Sequence, residues 1–169
     1  MAEQVIIVDE NDNEAGVSEK IKAHEAGLLH RAFSVFIFNS KKELLLQKRA
    51  SSKYHSGGLW SMTCCGHPRP KEKTKDAAKR RLKEEMGFDC SLKKVYSFIY
   101  KAKFDNGLTE YEYDNVFVGN YEENPIINPE EAEEWKWADP LFLRKDIKEN
   151  PENYTYWFKI CADRVLNLV

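Results

Sequence analysis

Residues 64–88, CCGHPRPKEKTKDAAKRRLKEEMGF, contain the spacing that decides the fold. Within them Ala78, Leu82 and Met86 recur at four-residue steps, which predicts an amphipathic helix over residues 73–86. Gly87 follows directly, at the position where a glycine commonly ends a helix in the left-handed conformation. The stretch therefore indicates a loop, a helix and a second loop.

This stretch also carries charged residues at fixed intervals between two glycines. Carboxylates clustered on one helical turn repel one another, and a hard divalent cation offsets that cost. The alternative is a solvated helix with ion pairs four residues apart, notably Arg81 with Glu85. The framing glycines favour a cation site. In chain order the fixed positions are Gly66, Glu72, Arg80, Glu84, Glu85 and Gly87.

The rest of the chain alternates between short apolar runs and turn signals, without repeats or linkers. NSKK at 39–42 and DNG at 105–107 each separate two such runs and predict hairpins. We expect one α+β domain over residues 1–169, with a mixed or mostly antiparallel sheet flanked by helices. The predicted strands are residues 5–8, 32–38, 43–47, 94–104, 108–118 and a segment around Trp135, and the other predicted helices are residues 18–27 and segments near Leu141 and Tyr154.

Composition bounds the function. A length of 169 residues suits one domain, folding alone or as an oligomer, so a monomer and a homodimer both stay open. Lys and Arg number 26 against 28 for Asp and Glu, and this balance excludes a general binder of nucleic acid. Cys64, Cys65, Cys90 and Cys161 form no spaced disulfide framework. With no signal-peptide pattern and no run of about 20 apolar residues, we expect a soluble cytoplasmic protein that does not enter membranes.

The spacing of glycines and charges resembles the box of the Nudix superfamily, which implies a helix that directs carboxylates at a metal-bridged diphosphate. Where that box has Glu after its Arg, this chain has Arg81, which argues against hydrolysis. Together with CCGHP, HEAGLLHRAFS from His24 and EYEYD from Glu110, this replacement resembles the type I isopentenyl-diphosphate delta-isomerase family over nearly the full chain. The resemblance implies an isomerase of isoprenoid biosynthesis that converts isopentenyl diphosphate into dimethylallyl diphosphate.

Such a reaction adds a proton to one carbon and removes another at the opposite face, through a tertiary carbocation. Cys65 offers a thiol, whose ordinary pKa is about 8.5, and Glu112 offers a carboxylate. The resemblance implies that Tyr100 assists Glu112 and that Trp157 covers the carbocation, where an indole contributes about 2 kcal/mol when desolvated. The alternative for Trp157 is packing of the last helix.

The resemblance also implies a divalent cation, Mn²⁺, Zn²⁺ or Mg²⁺, at a site of histidines and glutamates. Strand alternation places both glutamates on one face, about 7 Å apart, although such a pair is often the wet side of an edge strand. Cys64, Cys65 and His67 present a second alternative, half of a structural zinc site. His55 matches no ligand position and is interpreted as a loop residue. The implied ligands are His24, His30, His67, Glu110 and Glu112, with residues 1–30 supplying the first two.

A Mg²⁺ ion bridging the diphosphate is expected on Glu85, because hard oxygen ligands favour that ion. Trp60 is a further candidate for the pocket wall, and Met62 stands where the family often has Asn. The resemblance implies that four basic residues bind the diphosphate, namely Lys20, Arg49, Lys53 and Arg81. The alternative for the two lysines is that they are ordinary surface residues.

Two other functions remain open at this stage. A Nudix hydrolase of a nucleoside or other diphosphate would share the fold and Mg²⁺ but would need a carboxylate to replace the one lost at Arg81. A noncatalytic diphosphate sensor would keep the cation and the basic residues, yet tolerate Cys65→Ser. Since His24 lies near the start of the chain, we predict that metal or substrate binding orders the residues before it.

Overall fold

The computed structural model describes residues 1–169 and contains one nine-stranded mixed sheet between two helical layers. Helix α2 covers one face of the sheet, and α3 and α4 cover the other. The strands are β1 Gln4–Val8, β2 Glu14–Glu19, β3 His30–Phe38, β4 Leu44–Arg49, β5 Trp60–Ser61, β6 Cys64–Gly66, β7 Leu92–Lys103, β8 Thr109–Asn120 and β9 Ala132–Ala138. The helices are α1 Lys20–Ala26, α2 Thr74–Met86, α3 Pro140–Glu149 and α4 Tyr156–Leu166, with a 3-10 turn at Pro151–Asn153.

Strand β3 is the centre of the sheet. Along one edge it pairs in parallel with β8 over its whole length. Antiparallel partners share its other edge, namely β1 at the start, β6 in the middle and β4 at the end. As a result β6 and β8 lie on opposite sides of β3.

Alternation along β3 supplies both halves of the hydrophobic core. Phe33 and Val35 join the cluster beneath α2, whereas Phe36 and Phe38 join the cluster beneath α4. Since successive side chains of a strand point to opposite faces, one nearly unbroken apolar strand can fill both clusters. Polar side chains on the α4 face of this strand are consequently enclosed between the sheet and a helix.

Gly87 ends α2 as the sequence predicts. Its φ of 78° is left-handed, and its backbone N–H donates to the carbonyl of Lys83. A Cβ at this position would lie 2.4 Å from the carbonyl oxygen of Ile126, so only glycine fits both the conformation and the close approach. Close packing against Ile126 therefore explains why the box ends in a glycine.

The predicted hairpin at 105–107 is confirmed, since β7 and β8 pair along their full length. The hairpin predicted from residues 32–38 and 43–47 was only partly right, because β3 and β4 pair at Phe38 and Leu44 alone. Thr63 separates the two strands, accepting from the Ile37 N–H and donating to the Leu45 carbonyl. Strand β2 was missed, because its sequence EAGVSE has no alternating apolar pattern. The longest helix, α2, has 13 residues, and no helix has the length and apolarity that crossing a membrane demands.

Candidate active site

A cavity of about 650 Å³ is lined by residues of the sheet and of both helical layers. Its walls come from β3, β6, β7, β8, α2 and α4, so that residues far apart in sequence face one space. Two predicted site residues, His24 and His30, lie behind the wall with no exposed surface. The predicted residues that line the cavity are Lys20, Arg49, Lys53, Cys65, His67, Arg81, Glu85, Tyr100, Glu110, Glu112 and Trp157.

Four predicted ligands form what we call the histidine cluster: His24, His30, His67 and Glu112. One ligand atom from each lies within 4.8 Å of the others. Both ring nitrogens of His24 and Nε2 of His30 are buried without hydrogen-bond partners, and such atoms are costly unless something binds them. Unpaired imidazole nitrogens beside a carboxylate suit a divalent cation, so the residues present fit the implied metal.

The protonation of the cluster also suits a metal ligand set. Burial, with the neighbouring histidines, lowers the pKa of His24 to about 3, so its imidazole is neutral. His30 Nδ1 lies 2.8 Å from the Leu28 carbonyl and donates to it. Burial alone would lower the pKa of His30, but Glu112 and the Leu28 carbonyl outweigh that effect and raise it, so a bound cation would replace the proton on Nε2. Burial alone would raise the pKa of Glu112, but His30 and His67 outweigh that effect and hold the pKa well below its usual range.

Glu110 is not in the histidine cluster, although the resemblance makes it a ligand. Its Oε2 accepts a hydrogen bond of 2.9 Å from Tyr100, and its Oε1 lies 2.9 Å from His55 Nε2. The same hydroxyl lies 2.7 Å from Glu112 Oε2, so its single hydrogen is shared between the two carboxylates. Burial and these two carboxylates raise the pKa of Tyr100 well above its usual value, so the phenol keeps its proton.

The edge-strand alternative for the two glutamates is wrong. Strand β8 lies between β3 and β7, and Glu110 and Glu112 are only 5% and 6% exposed. The structural-zinc alternative finds no support either, because adjacent residues of β6 face opposite sides of the sheet. Cys64 packs in the cluster beneath α2, whereas Cys65 faces the cavity.

Cys65 approaches the cavity from the side of β3 opposite Glu112. It pairs with Ser34 in the β3–β6 ladder, while Glu112 pairs with His30 across the β3–β8 ladder. Burial raises the pKa of Cys65, with Arg49 acting in the opposite direction, so the group is a thiol at neutral pH. The cavity thus has a thiol on one side and a carboxylate on the other.

Trp157 forms part of the wall, and its position is fixed by polar contacts. Its indole N–H donates to Ser61 Oγ at 3.1 Å, and the Arg49 guanidinium lies 5.2 Å from its ring. Trp60 was predicted as a further wall residue, but it does not line the cavity and instead packs beneath Lys136. Met62 is fully buried and also does not line the cavity.

A second group of charges, the ion-pair cluster, consists of Lys53, Arg81, Glu85 and Glu131. Arg81 Nη2 lies 2.7 Å from Glu85 Oε1 and 3.2 Å from Glu131 Oε1, and Lys53 contacts the other oxygen of Glu131. The predicted pair of Arg81 with Glu85 is therefore present, and it faces the cavity. Glu85 Oε2 accepts from Gln47 at 2.7 Å.

Sequence reasoning missed His55, Glu131 and Gln47. His55 was interpreted as a loop residue, yet it is 8% exposed and contacts Glu110. Glu131 lies in an acidic run, and nothing in that run separates a cavity residue from a surface one. The box residues Glu72 and Arg80 pair with each other at 2.7 Å and brace the loop before α2.

Comparison with known proteins agrees with this geometry. The NUDIX domain model matches residues 28–158. Isopentenyl-diphosphate Delta-isomerase 2 of Aromatoleum aromaticum is 55% identical over 167 residues, covering 99% of this chain and 88% of that protein. The Isopentenyl-diphosphate Delta-isomerase of Burkholderia multivorans is 48% identical, covering 97% of this chain and 93% of that one.

Solved structures agree on the fold. A Deinococcus radiodurans protein superposes with a TM-score of 0.80 at 21% identity, covering 96% of this chain and 98% of that one. The MutT protein of Methanosarcina mazei Go1 superposes with a TM-score of 0.66 at 19% identity, covering 80% and 91%. From its sequence relatives and its NUDIX domain, the chain belongs to the isopentenyl-diphosphate Delta-isomerase family.

Proposed function

We propose that this protein is an isomerase that converts isopentenyl diphosphate into dimethylallyl diphosphate. The observation that carries the proposal is the placement of Cys65 and Glu112 on opposite sides of β3, facing one cavity. The arrangement suits a reaction that adds a proton at one face of a substrate and removes one at the other. The hydrolase alternative is less well supported, because the named relatives are isomerases.

The electron balance of the reaction requires two acid-base groups. The π electrons of the terminal alkene form a new C–H bond with a proton delivered from one side, which leaves a tertiary carbocation. The neighbouring C–H bond then breaks, its electron pair forms the new double bond, and its proton passes to the group on the other side. Cys65 and Glu112 are the two groups, and Tyr100 holds Glu112 in place through its 2.7 Å hydrogen bond.

The carbocation needs a wall that excludes water and stabilises positive charge. Trp157 is 3% exposed and presents its indole to the cavity. The ring is held by Ser61, and Arg49 lies on it, so its position is fixed before substrate enters. An aromatic face in a desolvated site stabilises a cation by about 2 kcal/mol.

The diphosphate would bind to Lys20, Arg49, Lys53 and Arg81, all of which line the cavity. Glu85 would hold Mg²⁺, which neutralises phosphate charge when bound. The histidine cluster would hold a second divalent cation, Mn²⁺, Zn²⁺ or Mg²⁺. Glu110, on the same face of β8 as Glu112, would be a further ligand of that cation. Residues 1–30 contribute His24 and His30 to that site.

We further propose that the enzyme works in the cytoplasm. All four cysteines are free thiols, and a free Cys65 is needed for proton transfer. A reducing compartment keeps such thiols from oxidation.

Incubation with isopentenyl diphosphate and Mg²⁺, followed by mild acid, tests the function. Allylic diphosphates ionise readily in acid and homoallylic ones do not, so an acid-labile product is expected from the wild-type protein. Cys65→Ser should abolish turnover while isopentenyl diphosphate still binds. Release of inorganic phosphate or pyrophosphate without an allylic product would instead indicate a hydrolase.

A further inference from the structure

His55 occupies a buried position that its loop does not predict. It lies between β4 and β5, and its imidazole ring is surrounded by the aromatic ring of its neighbour Tyr54 and by two aromatic rings from distant parts of the chain. The ring stacks on Phe104 at 4.8 Å with an interplanar angle of 7°, and it lies at 80° to Tyr54 and 79° to Trp157. With three such contacts the plane of the ring is fixed, and so is the direction of its nitrogens.

One ring nitrogen is directed at Glu110. Nε2 lies 2.9 Å from Glu110 Oε1, and both side chains are almost completely buried. The ring N–H is not aligned for a linear hydrogen bond, and no other polar group satisfies Nε2. Because the ring is held by its neighbours, Nε2 presents a fixed contact to the Glu110 carboxylate.

Through Glu110 the ring of His55 is connected to Glu112, the carboxylate proposed to transfer a proton. Tyr100 shares its hydroxyl hydrogen between Glu110 and Glu112, and Glu112 contacts His67. Glu110 is thus held between His55 on one side and Tyr100 on the other. A buried carboxylate without such partners would lose its orientation and be costly to keep charged.

We propose that His55 is a positioning residue that fixes the carboxylate of Glu110 beside the histidine cluster. The proposal deepens the proposed function and rests on it for the role of the cluster. Polar groups that contact a metal-ligating carboxylate from outside the ligand set orient it, and their loss typically costs 10–100-fold in metal affinity or activity. The diphosphate-binding side chains do not depend on the imidazole, since Arg49 contacts only the backbone carbonyl of His55.

Two substitutions separate the nitrogen of His55 from its packing. His55→Phe keeps a ring that can stack on Phe104 but has no nitrogen, whereas His55→Gln keeps an N–H donor without the ring. Mn²⁺ binding to each protein, measured by electron paramagnetic resonance without substrate, is the first readout, and steady-state kcat and KM are the second. Thermal unfolding of both variants checks that they fold.

We expect His55→Phe to weaken Mn²⁺ binding or lower kcat by about 10–100-fold, with KM for isopentenyl diphosphate unchanged. His55→Gln should recover part of that loss. Wild-type Mn²⁺ affinity and kcat in His55→Phe would overturn the proposal. So would equal losses in both variants that follow their thermal stability, because packing alone would then explain them.

A double-mutant cycle with Glu110→Gln tests whether His55 acts through that carboxylate. The effect of His55→Phe should largely disappear in the Glu110→Gln background, because the orientation of Glu110 no longer matters there. An undiminished effect would overturn the proposal. If the wild-type protein binds Mn²⁺ but makes no allylic product, the proposed function fails, while the comparison of Mn²⁺ affinities still decides the role of His55.

Discussion

The histidine cluster and the ion-pair cluster both adjoin one cavity but differ in how their charges are satisfied. In the ion-pair cluster each cation already contacts a carboxylate of the same chain, as Arg81 does with Glu85 and Glu131. In the histidine cluster three ring nitrogens of His24 and His30 have no hydrogen-bond partner, although His30 Nε2 lies 3.6 Å from Glu112 Oε1. A ligand arriving at the ion-pair cluster must compete with internal partners, whereas a cation arriving at the histidine cluster meets unsatisfied atoms.

This difference predicts where substitutions are most severe. No other side chain can replace a residue of the histidine cluster, so the loss of one should remove cation binding or proton transfer outright. Residues of the ion-pair cluster compete with one another, so losing a carboxylate releases a cation for another ligand. The two clusters should therefore respond in opposite directions to removal of a negative charge.

Glu112→Gln should give the largest effect. The amide keeps the shape but cannot accept a proton in the reaction, and it no longer balances His67, which lies 3.0 Å away. Loss of a general acid-base group costs about 10²–10⁴-fold, so kcat should fall by at least that factor. Steady-state kinetics with isopentenyl diphosphate measures it. The control is Tyr111→Phe, on the opposite face of the same strand, and a similar loss there would point to a damaged sheet.

Removal of the divalent cation by a chelator should have the second-largest effect. The ligands of the histidine cluster lie on α1, β3 and β8 and directly after β6, so the metal-free protein should stay folded and only lose stability. A ligand present at 100 times its Kd stabilises a protein by about 2.7 kcal/mol, and the melting temperature should fall accordingly. Circular dichroism monitors both quantities. Loss of the far-UV signal at room temperature would indicate a structural metal instead.

The two clusters also differ in how well the sequence predicts them. His24, His30, His67 and Glu112 could be named beforehand because the family resemblance implies them as ligands, and the structure brings the four side chains together. The helix α2 and the hairpin of β7 and β8 were predictable from the residues themselves, since periodicity and turn residues are local. Local patterns therefore predict these elements of the fold, whereas the set of ligands is predicted by the family resemblance.

The partners of these residues could not be predicted. Glu131 meets Arg81 and Lys53 only because the chain between β8 and β9 returns to α2, and a contact of that range leaves no local pattern. The burial of His55 likewise depends on Phe104 and Trp157, which are 49 and more residues away in sequence. Tertiary packing thus decides which polar residues become partners.

Glu131→Gln should have a smaller effect and the opposite sign. Removing this negative charge frees Lys53 and Arg81, so the affinity for inorganic pyrophosphate should rise. Partly exposed ion pairs are worth up to about 1 kcal/mol, which corresponds to about fivefold. Calorimetric titration of the metal-free protein measures the change. Glu130→Gln is the control, since it removes the same charge from an exposed neighbour. If Glu131→Gln binds pyrophosphate no more tightly than the wild-type protein, the two clusters do not differ in their response to the loss of a negative charge.

Glu3→Gln should produce the smallest change. Glu3 Oε2 lies 3.1 Å from Lys20 Nζ, but its side chain is 56% exposed, so the pair resembles a surface salt bridge. Such pairs contribute about 0.5 kcal/mol, and the gain in pyrophosphate affinity should be about twofold, against none for the exposed control Glu10→Gln. A gain in affinity as large as that of Glu131→Gln would show that the pair of Glu3 and Lys20 behaves like the pairs of the ion-pair cluster, because only a well-shielded pair competes that strongly for a diphosphate.

Limited proteolysis, with and without pyrophosphate, checks whether the ligand orders the residues before His24. Slower cleavage of that segment in the presence of pyrophosphate is expected, and equal cleavage would count against the prediction.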